Sequence, residues 1–312
     1  MCRNGSGVRL WGHLREHMEA LRHDRENRQF LPGVALPDGL RPVDTIEEAV
    51  DGVQDLLIAV PSHAFASVLR SLPFALAAGV GVAWATKGFE PGSDRLLSEV
   101  AAEVLAEREL AAISGPSFAR EVAQGLPTAV TVASNEAEYA RRVAGYLHSD
   151  RFRAYTSDDL IGVQVGGAAK NVLAIATGIA DGLGFGANTR AALITRGLAE
   201  LIRFGTALGG RQETFMGLAG LGDLVLTCTD NQSRNRRMGL ALAKGLSVEA
   251  AKAEIGQEVE GVISARSVHS FAARLSVEMP ISEQVHGVLY GGVTPAEATR
   301  SLLERSSKAE FY

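Results

Sequence analysis

Up to about Ser157, short apolar runs alternate with stretches of helical spacing; beyond it only helical spacing remains. Val8-Arg-Leu-Trp-Gly12 reads as a short strand, followed by a polar, His- and Arg-rich helix through about Arg25. Asn27 to Pro42 is a proline- and glycine-rich loop, and Thr45-Ile-Glu-Glu48 is a capping box opening a short helix to Asp51. Asp55-Leu-Leu-Ile-Ala-Val-Pro61 has the continuous apolarity of a strand buried on both faces, and Ser62 is placed to cap the next helix. Further strands are expected at Gly79 to Thr86, Leu110 to Ser114, Pro127 to Ser134 and Phe152 to Tyr155, with helices from about Asp94 to Arg108 and Glu136 to Leu147. This alternation predicts a mainly parallel, doubly wound sheet with ligands at the carboxyl ends of its strands. From Asp159 the pattern predicts helices at 159–181, 188–208, 232–244, 247–255, 259–275, 281–290 and 295–305, the last opened by the capping box Thr294-Pro-Ala-Glu297. The chain thus divides into an α/β domain at 1–157 and an all-α domain at 158–312.

One helix departs from the amphipathic rule. Gly162-Val-Gln-Val-Gly-Gly-Ala-Ala-Lys170-Asn171-Val-Leu-Ala-Ile-Ala-Thr-Gly178 is apolar or small on every face, so it is expected to be buried all round. Gly162, Gly166, Gly167 and Gly178 each weaken a helix by roughly 1 kcal/mol against alanine. A ligand or a tightly packed second helix must therefore approach this backbone. Lys170 either snorkels from the helix to water or is an amine in a closed site, its pKa lowered by burial so that it exchanges a proton near neutral pH.

A chain of 312 residues, 46% hydrophobic, has material for two cored domains, and a net charge of −5 argues against nucleic acid as a partner. Cys2 and Cys228 form neither a disulfide framework nor a metal-ligand spacing, which fits a reducing cytoplasm. The apolar run from Leu72 to Thr86 is broken by Pro73, Gly79 and Gly81 and is too short to span a bilayer, and no leader-like apolar run follows Arg3 to Gly5. A cytoplasmic protein without a membrane span is expected.

Three stretches can carry chemistry. Ser233-Arg234-Asn235-Arg236-Arg237 places a polar cap and three arginines at a helix start, which suits a phosphate as well as it suits a solvated helix end. Gly217-Leu-Ala-Gly-Leu-Gly222-Asp223 reads as a tight turn presenting a carboxylate, able to order a buried lysine or to bind substrate hydroxyls. His13-Leu-Arg-Glu16-His17 spells a zinc-peptidase pattern, but no acidic helix downstream offers a third ligand, and a solvated face is preferred. Gly182-Leu-Gly-Phe-Gly186 follows a helix rather than a strand and reads as an interhelical loop.

At Lys87-Gly88, Ser114-Gly-Pro-Ser-Phe-Ala-Arg-Glu-Val-Ala123, Gly167-Ala-Ala-Lys-Asn-Val172 and Gly220-Leu-Gly-Asp-Leu224 followed by Ser233-Arg-Asn-Arg236, the chain resembles the bacterial NAD(P)-dependent glycerol-3-phosphate dehydrogenases essentially end to end. The resemblance implies a Rossmann-like domain, a helical substrate domain, NAD or NADP as cofactor, a homodimer, and reversible reduction of dihydroxyacetone phosphate to sn-glycerol 3-phosphate for glycerophospholipid synthesis. It makes Lys170 the acid and base at the ketone oxygen and puts Lys87 against both substrate and cofactor. Asp223, Ser233, Arg234 and Asn235 line the glycerol phosphate site, with Thr227 close to the carbonyl and Arg234 also near the cofactor. Gly115 and Ser117 supply loop contacts to substrate, and Ala119 and Glu260 face the nicotinamide side. His13 and Phe30 match positions at the adenosine end.

The departure is at the start: family members begin with a strand and a Gly-x-Gly-x-x-[Gly/Ala] turn into a helix, a unit of about 30 residues with its crossover, whereas seven residues precede Val8 here. In the common doubly wound order the absent first strand lies in the middle of the sheet, between the second and fourth strands, so the sheet is expected to carry an unpaired internal edge and, without that unit, to bind cofactor poorly or not at all. Translation from upstream of Met1 would restore it, and Cys2 to Gly5 reads as the tail of such a helix and its turn. Two other readings stay open: a β-hydroxyacid or 6-phosphogluconate-type dehydrogenase of shared architecture, and a non-catalytic module binding a phosphometabolite. Leu198 to Leu208 and the C-terminal helices are the candidate surfaces for a second copy.

Overall fold

The computed structural model describes residues 1–72, 76, 79–106, 108–306 and 309. Part of the apolar run at 72–86, residues 73–75, 77 and 78, lies outside them. Nine strands are described: β1 (Val8–Leu10), β2 (Leu40–Pro42), β3 (Asp55–Ile58), β4 (Gly81–Trp84), β5 (Phe89–Glu90), β6 (Arg95–Leu96), β7 (Leu110–Ser114), β8 (Thr128–Ser134) and β9 (Phe152–Ser157). The main sheet has the order β3-β4-β7-β8-β9; β7 and β8 run antiparallel and the other pairs are parallel. The doubly wound expectation therefore holds for β3, β4 and β7, with β8 and β9 together reversed.

β1 pairs in parallel with β2 alone, and no hydrogen bonds of the ladder kind join β1 to β3 among the described residues. The segment 27–42, read as loop throughout, supplies β2 at its end because Leu40, Arg41 and Pro42 lie in register with Val8, Arg9 and Leu10. Cys2–Asn4 forms a short 3-10 turn closed by Gly5 at φ 85°.

The sheet is covered on both faces. On one, Phe65, Leu69, Leu97 and Val100 from the helices Ser62–Ser71 and Leu97–Leu105 pack on Val82, Trp84 and Ala112. On the other, Tyr139 and Val143 from the helix Ala137–Leu147 pack on Ala83, Ala111, Val130 and Val132. That second helix lies chiefly over β7 to β9, so Leu57 on β3 remains 40% exposed. This corrects the reading of Asp55 to Pro61 as buried on both faces: the run is apolar, but β3 is an edge strand.

The second half is helical throughout, at Leu160–Gly182, Ala187–Ala207, Gln212–Phe215, Leu218–Gly222 (a π turn), Asp223–Thr229, Arg234–Ala243, Val248–Ile255, Glu260–Leu275, Pro280–Tyr290 and Pro295–Leu303. The lysine helix Leu160–Gly182 runs through the middle, and it is long and apolar enough to cross a membrane, yet its most apolar 18-residue stretch is 94% buried inside the molecule. Its glycines are explained by neighbouring backbone. A Cβ on Gly166 would stand 2.5 Å from the Ala219 carbonyl oxygen, and one on Gly178 would stand 2.2 Å from that of Arg236. The second of these is the close approach of the helix Arg234–Ala243, and the Gly182–Gly186 segment turns the chain between helices as expected. Leu201 and Phe204 are wholly buried in this core and Leu198, Ile202 and Leu208 pack on it, so the segment expected to face a second copy is largely spent internally.

Candidate active site

The site forms where the carboxyl ends of β4 and β7 meet the lysine helix. Beyond β4 the chain delivers Lys87-Gly88, and beyond β7 it delivers Gly115, whose φ of 141° and whose close approach to Val130 Cα (3.0 Å from a built Cβ) admit no side chain. Asp223 opens the helix Asp223–Thr229, and the preceding glycines fold as a π turn rather than the expected tight turn, because at Gly220 any Cβ would stand 2.1 Å from the Phe215 carbonyl oxygen.

These elements bring two lysines onto one carboxylate. Lys170 Nζ lies 2.5 Å from Asp223 Oδ1 and donates to Thr227 Oγ1 at 2.8 Å. Lys87 Nζ donates to Asp223 Oδ2 at 2.6 Å and to the Gly115 carbonyl at 3.0 Å. Thr227 Oγ1 in turn donates to the Asp223 carbonyl at 2.6 Å. Lys170 and Asp223 are 5% and 1% exposed, so this is a closed site and not a snorkelling lysine. Burial removes the ammonium's hydration and brings the Lys170 pKa down to about 7, against the opposing attraction of Asp223; the Lys87 charge pushes the same way as burial.

The arginine-rich helix start divides its side chains between structure and surface. Ser233 caps the helix by accepting from the Arg236 N–H. Arg236 is buried in an ion pair with Asp181 at 2.5 Å, which Arg190 also binds. Asn235 is a strut: its Oδ1 accepts from the Gly261 N–H and its Nδ2 donates to Asn171 Oδ1, both at 2.8 Å. Its backbone N–H, in the first helical turn, is what it offers a ligand directly. Arg234 is exposed and makes no hydrogen bond or ion pair among the described residues. A free guanidinium beside free N–H groups of a helix start is suited to a phosphate.

The remaining expected residues fall around this centre. Ser117 Oγ donates back to the Gly115 carbonyl at 3.0 Å, and Ala119 is exposed at the start of the helix Ala119–Gln124. Glu260 accepts from the Ser62 N–H at 2.9 Å and from Ser62 Oγ at 2.7 Å. Ser62 thus does not cap its own helix, which has Pro61 at the N-cap. His13 and Phe30 stand apart, beside a groove of about 640 Å³ beyond β1 lined by His13, Leu14, His17, Ala20, Leu21 and Arg28 among others. Phe30 is 48% exposed and meets His17 edge-on at 5.6 Å. The groove also carries Glu16, Asp24 and Glu26, and its Arg28 is paired with Asp24 and Glu26, so its charge is mixed. The helix begins only at Arg15, so His13 and His17 are not two ligands one turn apart on a helix face.

Two buried polar features escaped the sequence. Glu200 is 2% exposed and accepts from the N–H groups of Ile281 and Ser282, capping the helix Pro280–Tyr290 from another helix. Burial lifts its carboxyl to about 7. Ser114 Oγ is buried without a partner beside Gly167 and Lys87. Only a three-dimensional neighbourhood identifies either.

An α/β dinucleotide-type domain joined to an all-α domain, with a buried lysine paired to a carboxylate at the junction, is the arrangement of a two-domain nicotinamide-linked dehydrogenase. Family models agree, and they name it more narrowly. Residues 1–140 match the N-terminal domain of NAD-dependent glycerol-3-phosphate dehydrogenase, and residues 159–300 match its C-terminal domain. A glycerol-3-phosphate dehydrogenase [NAD(P)+] of Shewanella sediminis is 54% identical over 312 residues, covering 99% of this chain and 92% of that protein. Its namesake from Bartonella henselae is 52% identical over 314 residues, covering 100% and 92%. The crystal structure of glycerol-3-phosphate dehydrogenase from Coxiella burnetii superimposes with a TM-score of 0.95 at 47% identity, covering 97% of this chain and 93% of that one. The chain belongs to the NAD-dependent glycerol-3-phosphate dehydrogenase family, and it is an NAD(P)-dependent oxidoreductase of that family.

Proposed function

We propose that the reversible reduction of dihydroxyacetone phosphate to sn-glycerol 3-phosphate takes place at the Lys170, Asp223 and Lys87 cluster, with Lys170 as acid and base. One observation carries this: the Lys170 amine is enclosed, oriented by Asp223 and Thr227, and brought to a pKa of about 7. The nicotinamide cofactor, when bound, supplies or accepts the hydride. In reduction Lys170 gives its proton to the ketone oxygen; in oxidation the neutral amine takes it back from the alcohol. Asp223 bears on the charge of both lysines, so loss of the Lys170 proton leaves the carboxylate paired with Lys87. Lys87 has one N–H beyond those on Asp223 and Gly115 to direct at substrate. Arg234, the backbone N–H groups of Arg234 and Asn235 and the Ser233 hydroxyl hold the phosphate. His13 and Phe30 bound the adenosine end of the cofactor, and Ala119 and Glu260 flank its nicotinamide end.

The two free cysteines, Cys2 and Cys228, fit a cytoplasmic setting, and the resemblance supports a homodimer; sedimentation of the purified chain tests the latter. For the reaction, Lys170→Ala should abolish reduction of dihydroxyacetone phosphate, a loss of about 10²–10⁴-fold or more, while the circular dichroism spectrum is kept. Near-normal turnover would sink the role given to Lys170. Equal turnover of a β-hydroxyacid would transfer the site to that class of substrate.

A further inference from the structure

Ser62 lies at the first position of its helix, immediately after β3 and its loop, and is 2% exposed. Both of its donors are directed across the junction onto one carboxylate: N–H to Glu260 Oε1 at 2.9 Å and Oγ to Oε2 at 2.7 Å. Gly88, the neighbour of Lys87, is wedged against this pair. It has a φ of 154°, and a Cβ there would stand 2.6 Å from Ser62 Cβ and 3.2 Å from Glu260 Oε2. The residue after Glu260 continues the connection, since the Gly261 N–H donates to Asn235 Oδ1 at 2.8 Å and Asn235 Nδ2 donates to Asn171 Oδ1 at 2.8 Å. Asn171 follows Lys170 on the lysine helix. A continuous set of hydrogen bonds therefore runs from the sheet domain, past the Lys87 loop, to the helix that carries the acid.

We propose that Ser62 is a positioning residue for the reaction: by gripping Glu260 it fixes the seam between the two halves so that Lys87 and Lys170 converge on Asp223. The proposal rests on the reading of Lys170 as the acid. Its physical basis is the steep dependence of rate on placement, where a displacement of about 1 Å costs roughly 10²-fold. Charge-assisted bonds from an N–H and an O–H to a shielded carboxylate are the strong kind, suited to holding such a seam. Burial holds the Glu260 carboxyl above its usual range, with the Ser62 bonds opposing that rise.

Two variants remove the grip in steps. Ser62→Ala deletes one donor. Ser62→Pro deletes both at a helical position where proline is tolerated. Steady-state kinetics with NAD(P)H and dihydroxyacetone phosphate should show kcat lowered about tenfold in the first and about a hundredfold in the second, with KM for the triose phosphate within about twofold. In a Glu260→Ala background the further loss from Ser62→Ala should vanish, since the residue acts through Glu260. Amide hydrogen exchange, which needs no turnover, should quicken at Gly261 and Val262 while β4 stays protected. A kcat for Ser62→Pro within twofold of the parent, an additive loss in the Glu260→Ala background, or loss of protection throughout the molecule would each overturn the proposal. Should the parent chain fail to reduce dihydroxyacetone phosphate, the functional reading falls, and exchange alone decides: unchanged rates at Gly261 in both variants would refute the grip.

Discussion

At Lys170 two effects of opposite sign compete, and burial wins. The adjacent carboxylate favours the ammonium, but the loss of hydration and the second cation at Lys87 bring the pKa from 10.5 to about 7. Reduction needs the protonated amine, so kcat/KM for dihydroxyacetone phosphate should fall as pH rises through about 7. Oxidation needs the neutral amine and should fall as pH drops through the same value; pH profiles measured in both directions check this, and parallel profiles would contradict it. The same shift has a stability sign. Because the folded pKa lies below the unfolded one, the unfolded chain binds more protons between pH 10.5 and about 7, and Lys170 costs the fold more as pH falls through that window. Arg234 is the contrasting residue, with its guanidinium unspent inside the molecule. Arg234→Ala should raise KM for the phosphate ester by one to two orders of magnitude, about 1.5–3 kcal/mol for a charge-assisted contact, and leave the melting temperature unchanged. An unaltered KM would remove the phosphate assignment.

At the scale of elements, glycine means different things in different helices. Gly166 and Gly178 are occupied by neighbouring backbone, which cannot yield as a flexible side chain can. Gly145 in the helix Ala137–Leu147 has nothing within 4 Å of a built Cβ. Gly145→Ala should therefore stabilise the protein by about 0.5–1 kcal/mol, the ordinary helix preference. Gly178→Ala should destabilise it by about 2 kcal/mol or more through overpacking, and equal effects in urea titrations would refute the close approach. The sequence carried the lysine helix and its close neighbour because uniform apolarity and interrupting glycines have few other causes. It misled at 217–223, where glycines imposed by Phe215 imitate a turn and conceal the helix Asp223–Thr229. Ser62 misled for a related reason: local spacing marks it as a cap, while its partner Glu260 is 198 residues away. The role of Asp223, open between ordering a lysine and binding hydroxyls, is seen to include ordering two lysines at once.

For the whole molecule, the boundary near Ser157 divides the chain by pattern more cleanly than by packing. Leu160 and Val163, the first turns of the lysine helix, sit with Val82, Trp84 and Ala112 in the core beneath the sheet. Farther along, Val165 to Ile179 belong to the core of the helical half. One rigid element therefore closes both cores, and the two halves are also joined by Lys87 to Asp223 and Ser62 to Glu260. Loss of either half exposes an apolar length of that helix, so the halves should not unfold independently. We expect a single calorimetric transition for the full chain. A fragment of residues 1–157, lacking the helix, should be molten or aggregate, whereas one of residues 1–182 should gain protection in β4. Two resolved transitions, or a cooperatively folded 1–157 fragment, would show that the sheet domain completes its core without Leu160 and Val163.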